Sequence, residues 1–157
     1  KAAEYSGADG VLVTCTSVNK ATKMIRPLLS IPILNIEEPV AEMAVSAGTR
    51  IGVLATIPTS PKAIIEVIQE KAAAAGKNVT IVTRVADGAF DVLKSGDRER
   101  HDEMVAQTLY KLAQEVDCIA FAQISMSKVK YDESRVSVPV YKIGISGFDR
   151  MKKLMGI

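Results

Sequence analysis

The chain has 157 residues, 48% hydrophobic and 24% charged, with a formal net charge of +2. That is a globular profile with length enough for a core, and its interspersed charges and lack of tryptophan argue against a nucleic-acid surface. No apolar run approaches the roughly 18–20 residues of a membrane span, and two cysteines on separate strand units suggest neither a disulfide framework nor a metal site.

Lys1–Ser6 reads as the tail of a helix closed by Gly7. The stretch Asp9–Ser17, DGVLVTCTS, predicts a buried strand over Val11–Thr14. That strand delivers Cys15 and two hydroxyls, Thr16 and Ser17, to the next helix. Ser17 is a suitable N-cap, and Val18, Ala21, Ile25 and Leu28 fall on one helical face. Pro27 ends or bends that helix near Arg26. Ile33–Ile36 is the next strand and ends at Glu37-Glu38. A helix with Pro39 in its first turn then runs to Gly48.

Arg50 opens a second block. Ile51–Ala55 predicts a strand, with Thr56 and Thr59 after it. Pro61 starts a helix whose inner face is Ile64, Ile65, Ile68 and Ala72 and which Gly76 ends. Val79–Thr83 is a strand, and Asp87 is placed to cap a short helix through Leu93. The helix after Asp97 has the clearest period, Val105, Leu109, Leu112 and Val116. It carries the sole histidine, His101, in the charged turn RERHDEM. Strand Ile119–Ala122, the polar turn Gln123–Ser127, strand Val138–Ile143 and a helix near Phe148–Met155 complete the chain.

Asp117–Ser125, DCIAFAQIS, repeats the layout of Asp9–Ser17, and SVPVYKI at Ser137–Ile143 repeats SIPILNI at Ser30–Ile36. The chain therefore reads as carrying a duplicated strand–helix–strand unit. In it Cys15 aligns with Gln123, and Ser17 with Ser125. Two further strand–helix units precede the second copy, so the repeat implies roughly 60 residues ahead of Lys1.

Short apolar strands alternating with helices predict an α/β fold of two pseudo-symmetric lobes, each a mostly parallel sheet flanked by helices. The expected lobes are 1–48, with helix 144–157 packing back on it, and 49–143. Ligands of such sheets bind outside the strands' carboxyl ends. Cys15, Thr16, Ser17, Glu37, Thr56, Thr59, Gln123 and Ser125 are expected there, between the lobes.

The pieces GADGVLVTCTS, the IPIL strand with its acidic end, RIGVLATIPT and VDCIAFAQISM resemble the aspartate/glutamate/hydantoin racemase family in order and spacing. The resemblance implies two pseudo-symmetric α/β lobes with the active site between them, a homodimer, and chemistry without pyridoxal phosphate, metal or other cofactor. It implies also a strand–helix–strand–helix segment ahead of the residues seen here. Cytoplasmic location is the default expectation.

By that resemblance Cys15 is the first acid/base thiol of a racemase or isomerase acting at the Cα of a small carboxylate or amino acid. A thiol near a helix start has its pKa lowered toward neutrality. Thr16, Ser17, Thr56 and Thr59 are candidate carboxylate ligands, with Gln123, Ser125 and Glu37 lining the cleft. The family's second cysteine falls at Gln123, which exchanges no proton. Single-cysteine decarboxylases and a maleate isomerase occur in the same superfamily, so a one-thiol lyase or maleate-type isomerase is an alternative. A non-catalytic carboxylate-binding protein is another. Cys118 is read as structural.

Overall fold

A computed structural model describes residues 1–15 and 18–157. Thr16 and Ser17, two of the expected ligands, lie outside the described residues. The described elements are α1 (Ala2–Tyr5), β1 (Val11–Val13), α2 (Asn19–Ile25), β2 (Ile33–Asn35), α3 (Glu38–Ala47), β3 (Arg50–Ala55), α4 (Pro61–Ala74) and β4 (Thr80–Val85). They continue with α5 (Ala89–Lys94), α6 (Arg98–Leu112), β5 (Cys118–Phe121), β6 (Val140–Tyr141) and α7 (Ile145–Met155).

Two parallel sheets result, β1-β2 and β4-β3-β5-β6. The α/β class with helix-flanked parallel sheets is thus as the alternating pattern requires. In the larger sheet β3 lies between β4 and β5, with Gly52 opposite Val82 on one side and Ile119 on the other. Helices cover both faces. Ile64 and Ile68 of α4 join Val40 and Ala44 of α3 in one core, which continues through Val53 and Ala120 to Ile143. Val105, Leu109 and Leu112 of α6 pack with Leu54, Ile119 and Phe121 on the other face. Val105, Leu109 and Leu112 form the inner face expected of the helix after Asp97, which ends at Leu112, short of Val116; Asp97 caps it, accepting from the Arg100 N–H at 2.9 Å.

α7 packs against α3, β1 and β2. It approaches so closely that a Cβ on Gly147 would stand 2.6 Å from Ile36 Cγ1, so only glycine fits. A second tight approach is at Gly48, where a Cβ would meet the Asp117 Cβ at 2.3 Å. The Asp117 carboxylate accepts the Thr49 and Arg50 N–H groups there, each at 2.8 Å.

Four local expectations fail. The strand expected to be buried over Val11–Thr14 is half-buried and ends at Val13, being one of only two described strands in its sheet. The apolar face assigned to α2 is outward: Val18, Ala21, Ile25 and Leu28 are exposed, and the helix buries Asn19 and Thr22. Polar anchors won because Asn19 and Arg26 bond to the carboxylates Glu37 and Glu38. The N-cap of α5 is Gly88 rather than Asp87, since the chain turns there with φ of 76°. The last strand is two residues, Val140–Tyr141, because Gly144 turns the chain into α7.

Candidate active site at the strand ends

The helices after β3 and β4 lie on opposite faces of the larger sheet, α4 on one and α6 on the other. The carboxyl ends of β3 and β5 therefore form a topological switch point, where parallel sheets open a crevice. Thr56 follows β3 and Gln123 follows β5. The Gln123 side-chain oxygen accepts the Thr56 N–H at 2.7 Å and its hydroxyl at 3.1 Å. With its oxygen so occupied, Gln123 has its amide N–H groups to offer a ligand. Ser125 is half-buried in the 3-10 turn Ile124–Met126 that follows.

The smaller sheet presents its own strand ends. Val13 of β1 pairs with Asn35 of β2, so Cys15 and Glu37 each stand two residues beyond the last matched pair. Cys15 is exposed, and its carbonyl accepts the Val18 N–H at 3.3 Å. Glu37 is fully buried and accepts a hydrogen bond from the Asn19 amide. Its other oxygen, Oε2, has no partner among the described residues, nor has either polar atom of the Asn35 side chain. Burial pushes the Glu37 carboxyl above its usual range, against the pull of its own N–H and of Asn19. The site thus holds a buried carboxyl whose pKa is raised by that burial.

Glu38 differs. Burial raises its pKa too, but the Arg26 guanidinium, the Asn35 N–H and Lys71 outweigh that and hold the carboxyl below its usual range. It is an ion-paired helix start.

The two halves approach at a cavity of about 340 Å³. Asn19 and Lys20 of α2 line one side; Thr59, Ser60, Lys62 and Glu66 line the other. The Ser60 hydroxyl donates to the Ile57 carbonyl at 2.8 Å, so it leaves the first N–H groups of α4 uncapped. A larger cavity of about 610 Å³ lies between α3 and α7, lined by Glu42, Ser46, Tyr141 and Arg150. It is away from the switch point.

Residues 1–148 match the Asp/Glu/Hydantoin racemase family. The chain belongs to that family. Among solved structures, this racemase-family chain is similar to an aspartate racemase homologue from Pyrococcus horikoshii, with a TM-score of 0.69 at 18% identity over 99% of this chain and 69% of that one. It is similar to the glutamate racemase isoform RacE1 of Bacillus anthracis, with a TM-score of 0.64 at 18% identity over 99% and 60%. An unliganded arylmalonate decarboxylase gives 0.62 at 18% over 98% and 70%. At such identity the likeness shows the racemase fold, and the chain spans 60–70% of these proteins' lengths. No curated protein sequence matches it.

Within that family frame, the structure brings together Thr56 with Gln123, and Glu37 with a residue the sequence reading omitted, Asn19. Lys20 and Lys62 were also omitted. None of the three has a periodic or motif signal; each is one polar residue in the first turn of a helix.

His101 lies in the charged opening of α6. It is fully buried, with Nδ1 2.8 Å from Asp102 Oδ1. Asp102 in turn accepts the Lys130 N–H at 3.1 Å, and Lys142 donates to the Val129 carbonyl at 2.9 Å. Those bonds fasten the segment that follows Gln123. Cys118 is buried at the start of β5 and donates to the Ala44 carbonyl at 3.5 Å. Burial and the neighbouring Asp117 push its thiol up to about 11, which keeps it protonated.

Proposed function

We propose that this chain is a cofactor-independent racemase or isomerase acting at the Cα of a small carboxylate, with Cys15 as the proton-transfer group. The observation that carries the reading is the exposed Cys15 thiol at the carboxyl end of β1, in a chain of this family. As thiolate, Cys15 takes the Cα proton while the electron pair moves into the carboxylate, giving an enediolate-like species. Return of that proton from Cys15 regenerates the substrate, and delivery of a proton from solvent to the opposite face gives its mirror image. The uncapped start of α4, Thr56 and Thr59 supply donors for the carboxylate as it gains charge. The Gln123 amide donates beside them, and the buried Glu37 carboxylate holds Asn19 in place at the cavity wall.

A second reading is favoured by Gln123 itself. An amide bound at its oxygen by Thr56 gives no acid or base at the position the repeat aligns with Cys15. Decarboxylation needs only one proton delivery. The C–CO2 bond breaks, its electron pair forms an enediolate, and the Cys15 S–H protonates that carbon. The similarity to a decarboxylase fold is compatible with this route. In either case we propose a homodimer.

Proton NMR in D2O tests both, with D- and L-amino acids, a hydantoin, maleate and an arylmalonate as substrates and Cys15→Ala as control. Cα deuteration with loss of optical rotation establishes racemisation. Exchange with retained configuration means that one face works. Deuterated product with release of CO2 establishes the lyase. Activity retained in Cys15→Ala overturns the thiol mechanism; no activity with any substrate, while Cys15 resists alkylation near neutral pH, overturns the enzyme reading in favour of a binding protein.

A further inference from the structure

The cavity of about 610 Å³ between α3 and α7 is well within the range for small-molecule sites, roughly 300–1,000 Å³. Its apolar wall is Pro39, Met43 and Ala47 of α3. Tyr141 of β6 and Ser146, Asp149 and Lys153 of α7 give it polar groups. Glu42 and Arg150 also line it, but they pair with each other across it, and Glu42 takes Lys71 as well at 2.7 Å. Two carboxylates, Glu42 and Asp149, thus face two cations, Arg150 and Lys153, and the lining carries no net charge. Such a cavity favours neither an anion nor a cation as a whole.

The polar groups of Tyr141, Ser146, Asp149 and Lys153 are uncommitted among the described residues. Asp149 and Lys153 are exposed, and neither side chain has a hydrogen-bond or ion-pair partner there. They stand four residues apart, so one turn of α7 sets a carboxylate and an ammonium on one face, roughly 5–6 Å apart at Cβ. The ion pair that this spacing favours is not made. The Tyr141 hydroxyl likewise has no hydrogen-bond partner among the described residues, and burial raises its pKa, which keeps it a neutral donor. The Ser146 hydroxyl oxygen is buried without a partner. A buried hydroxyl left unpaired costs free energy that a ligand recovers.

We propose that this cavity is a second binding site, apart from the strand-end cleft, and that its ligand is a zwitterionic α-amino acid with an apolar side chain. The ligand ammonium pairs with Asp149 and its carboxylate with Lys153. The Tyr141 and Ser146 hydroxyls donate to that carboxylate. The side chain lies on Pro39, Met43 and Ala47, where the Met43 thioether suits an aromatic ring. A plain anion would meet Asp149 unpaired, and a plain cation would meet Lys153 unpaired, so a ligand carrying both charges fits the lining best. Nothing in this site draws on the Cys15 thiol.

The test is equilibrium binding by calorimetry on the intact protein, with L-phenylalanine, N-acetyl-L-phenylalanine and L-phenylalaninamide as probes. Wild type is expected to bind L-phenylalanine at least about tenfold more tightly than either derivative, each of which has lost one charge. Lys153→Gln should weaken L-phenylalanine by about tenfold and leave the amide unchanged; Asp149→Asn should weaken L-phenylalanine similarly and leave the N-acetyl derivative unchanged. Ala47→Phe, at an exposed wall position, should fill the cavity and abolish binding. All three positions are exposed, so an unchanged unfolding midpoint should show that each variant folds. No binding of L-phenylalanine up to about 10 mM, or equal affinity for the three probes, overturns the proposal. So does unaltered affinity in folded Ala47→Phe, which would place the ligand in the strand-end cleft. Binding is expected to persist in Cys15→Ala, whatever becomes of turnover in that variant.

Discussion

Gln123 and Thr56 close the switch point of the larger sheet, one side-chain oxygen at the end of β5 accepting both the N–H and the hydroxyl of the residue that ends β3. Thr56 is only 3% exposed, so its N–H has no solvent to turn to. Gln123→Ala should therefore cost about 1–3 kcal/mol, the penalty of a buried donor left unpaired. Urea unfolding measures it. Gln123→Glu keeps the acceptor and should recover most of the loss, whereas Gln123→Met, which keeps the bulk without the acceptor, should not.

Glu37 gives a pH signature. Its folded-state pKa lies above the ordinary 4.5. Below 4.5 both folded and unfolded chains hold the proton, and the stabilisation is fully present. As pH rises from there through the higher folded value, the unfolded chain releases the proton first and the stabilisation is lost. Glu37→Gln removes this dependence. The variant should match wild type near pH 4, exceed it increasingly as pH rises from there to the raised folded value, and keep a constant lead above it. Chemical denaturation at several pH values checks this, and a difference that shrinks as pH rises contradicts a raised folded-state pKa.

The two thiols should separate cleanly. Iodoacetamide near neutral pH should label Cys15, which is exposed, and spare Cys118, which is buried with its thiol pushed up to about 11. Mass spectrometry should find one modification per folded chain and two after unfolding.

Asp102 ties the segment after Gln123 to α6. It is 7% exposed and bonds both His101 and the Lys130 N–H. Asp102→Ala should cost about 1–3 kcal/mol and speed hydrogen exchange at the Lys130 amide. If Gln123 and Ser125 serve the site, substrate turnover should fall as well.

Gly48→Ala is expected to destabilise by about 1–3 kcal/mol, because its Cβ would meet Asp117 at 2.3 Å. The backbone there is extended and any residue adopts it, so relief in Gly48→Ala/Asp117→Gly would identify the collision as the cause.

The sequence by itself determined the order of strands and helices, the parallel class of the sheets, the inner faces of α4 and α6, and the placing of Thr56 and Gln123 after strands. Hydrophobic period and chain punctuation are local properties, and they encode these things directly. The motif pieces around Cys15 and Gln123 carried the family. Only the tertiary structure decided which polar residues are buried. The face of α2 inverted because Asn19 and Arg26 found carboxylates on another element, and an apolar stripe does not announce such partners. His101 stands among charged neighbours in the sequence, and α6 turns it inward beside Asp102. Asn19, Lys20 and Lys62 reach one cavity only because two helix starts, some forty residues apart in the chain, converge across the strand ends. Convergence of that kind is a long-range property, settled by how the sheets pack and not by any local pattern.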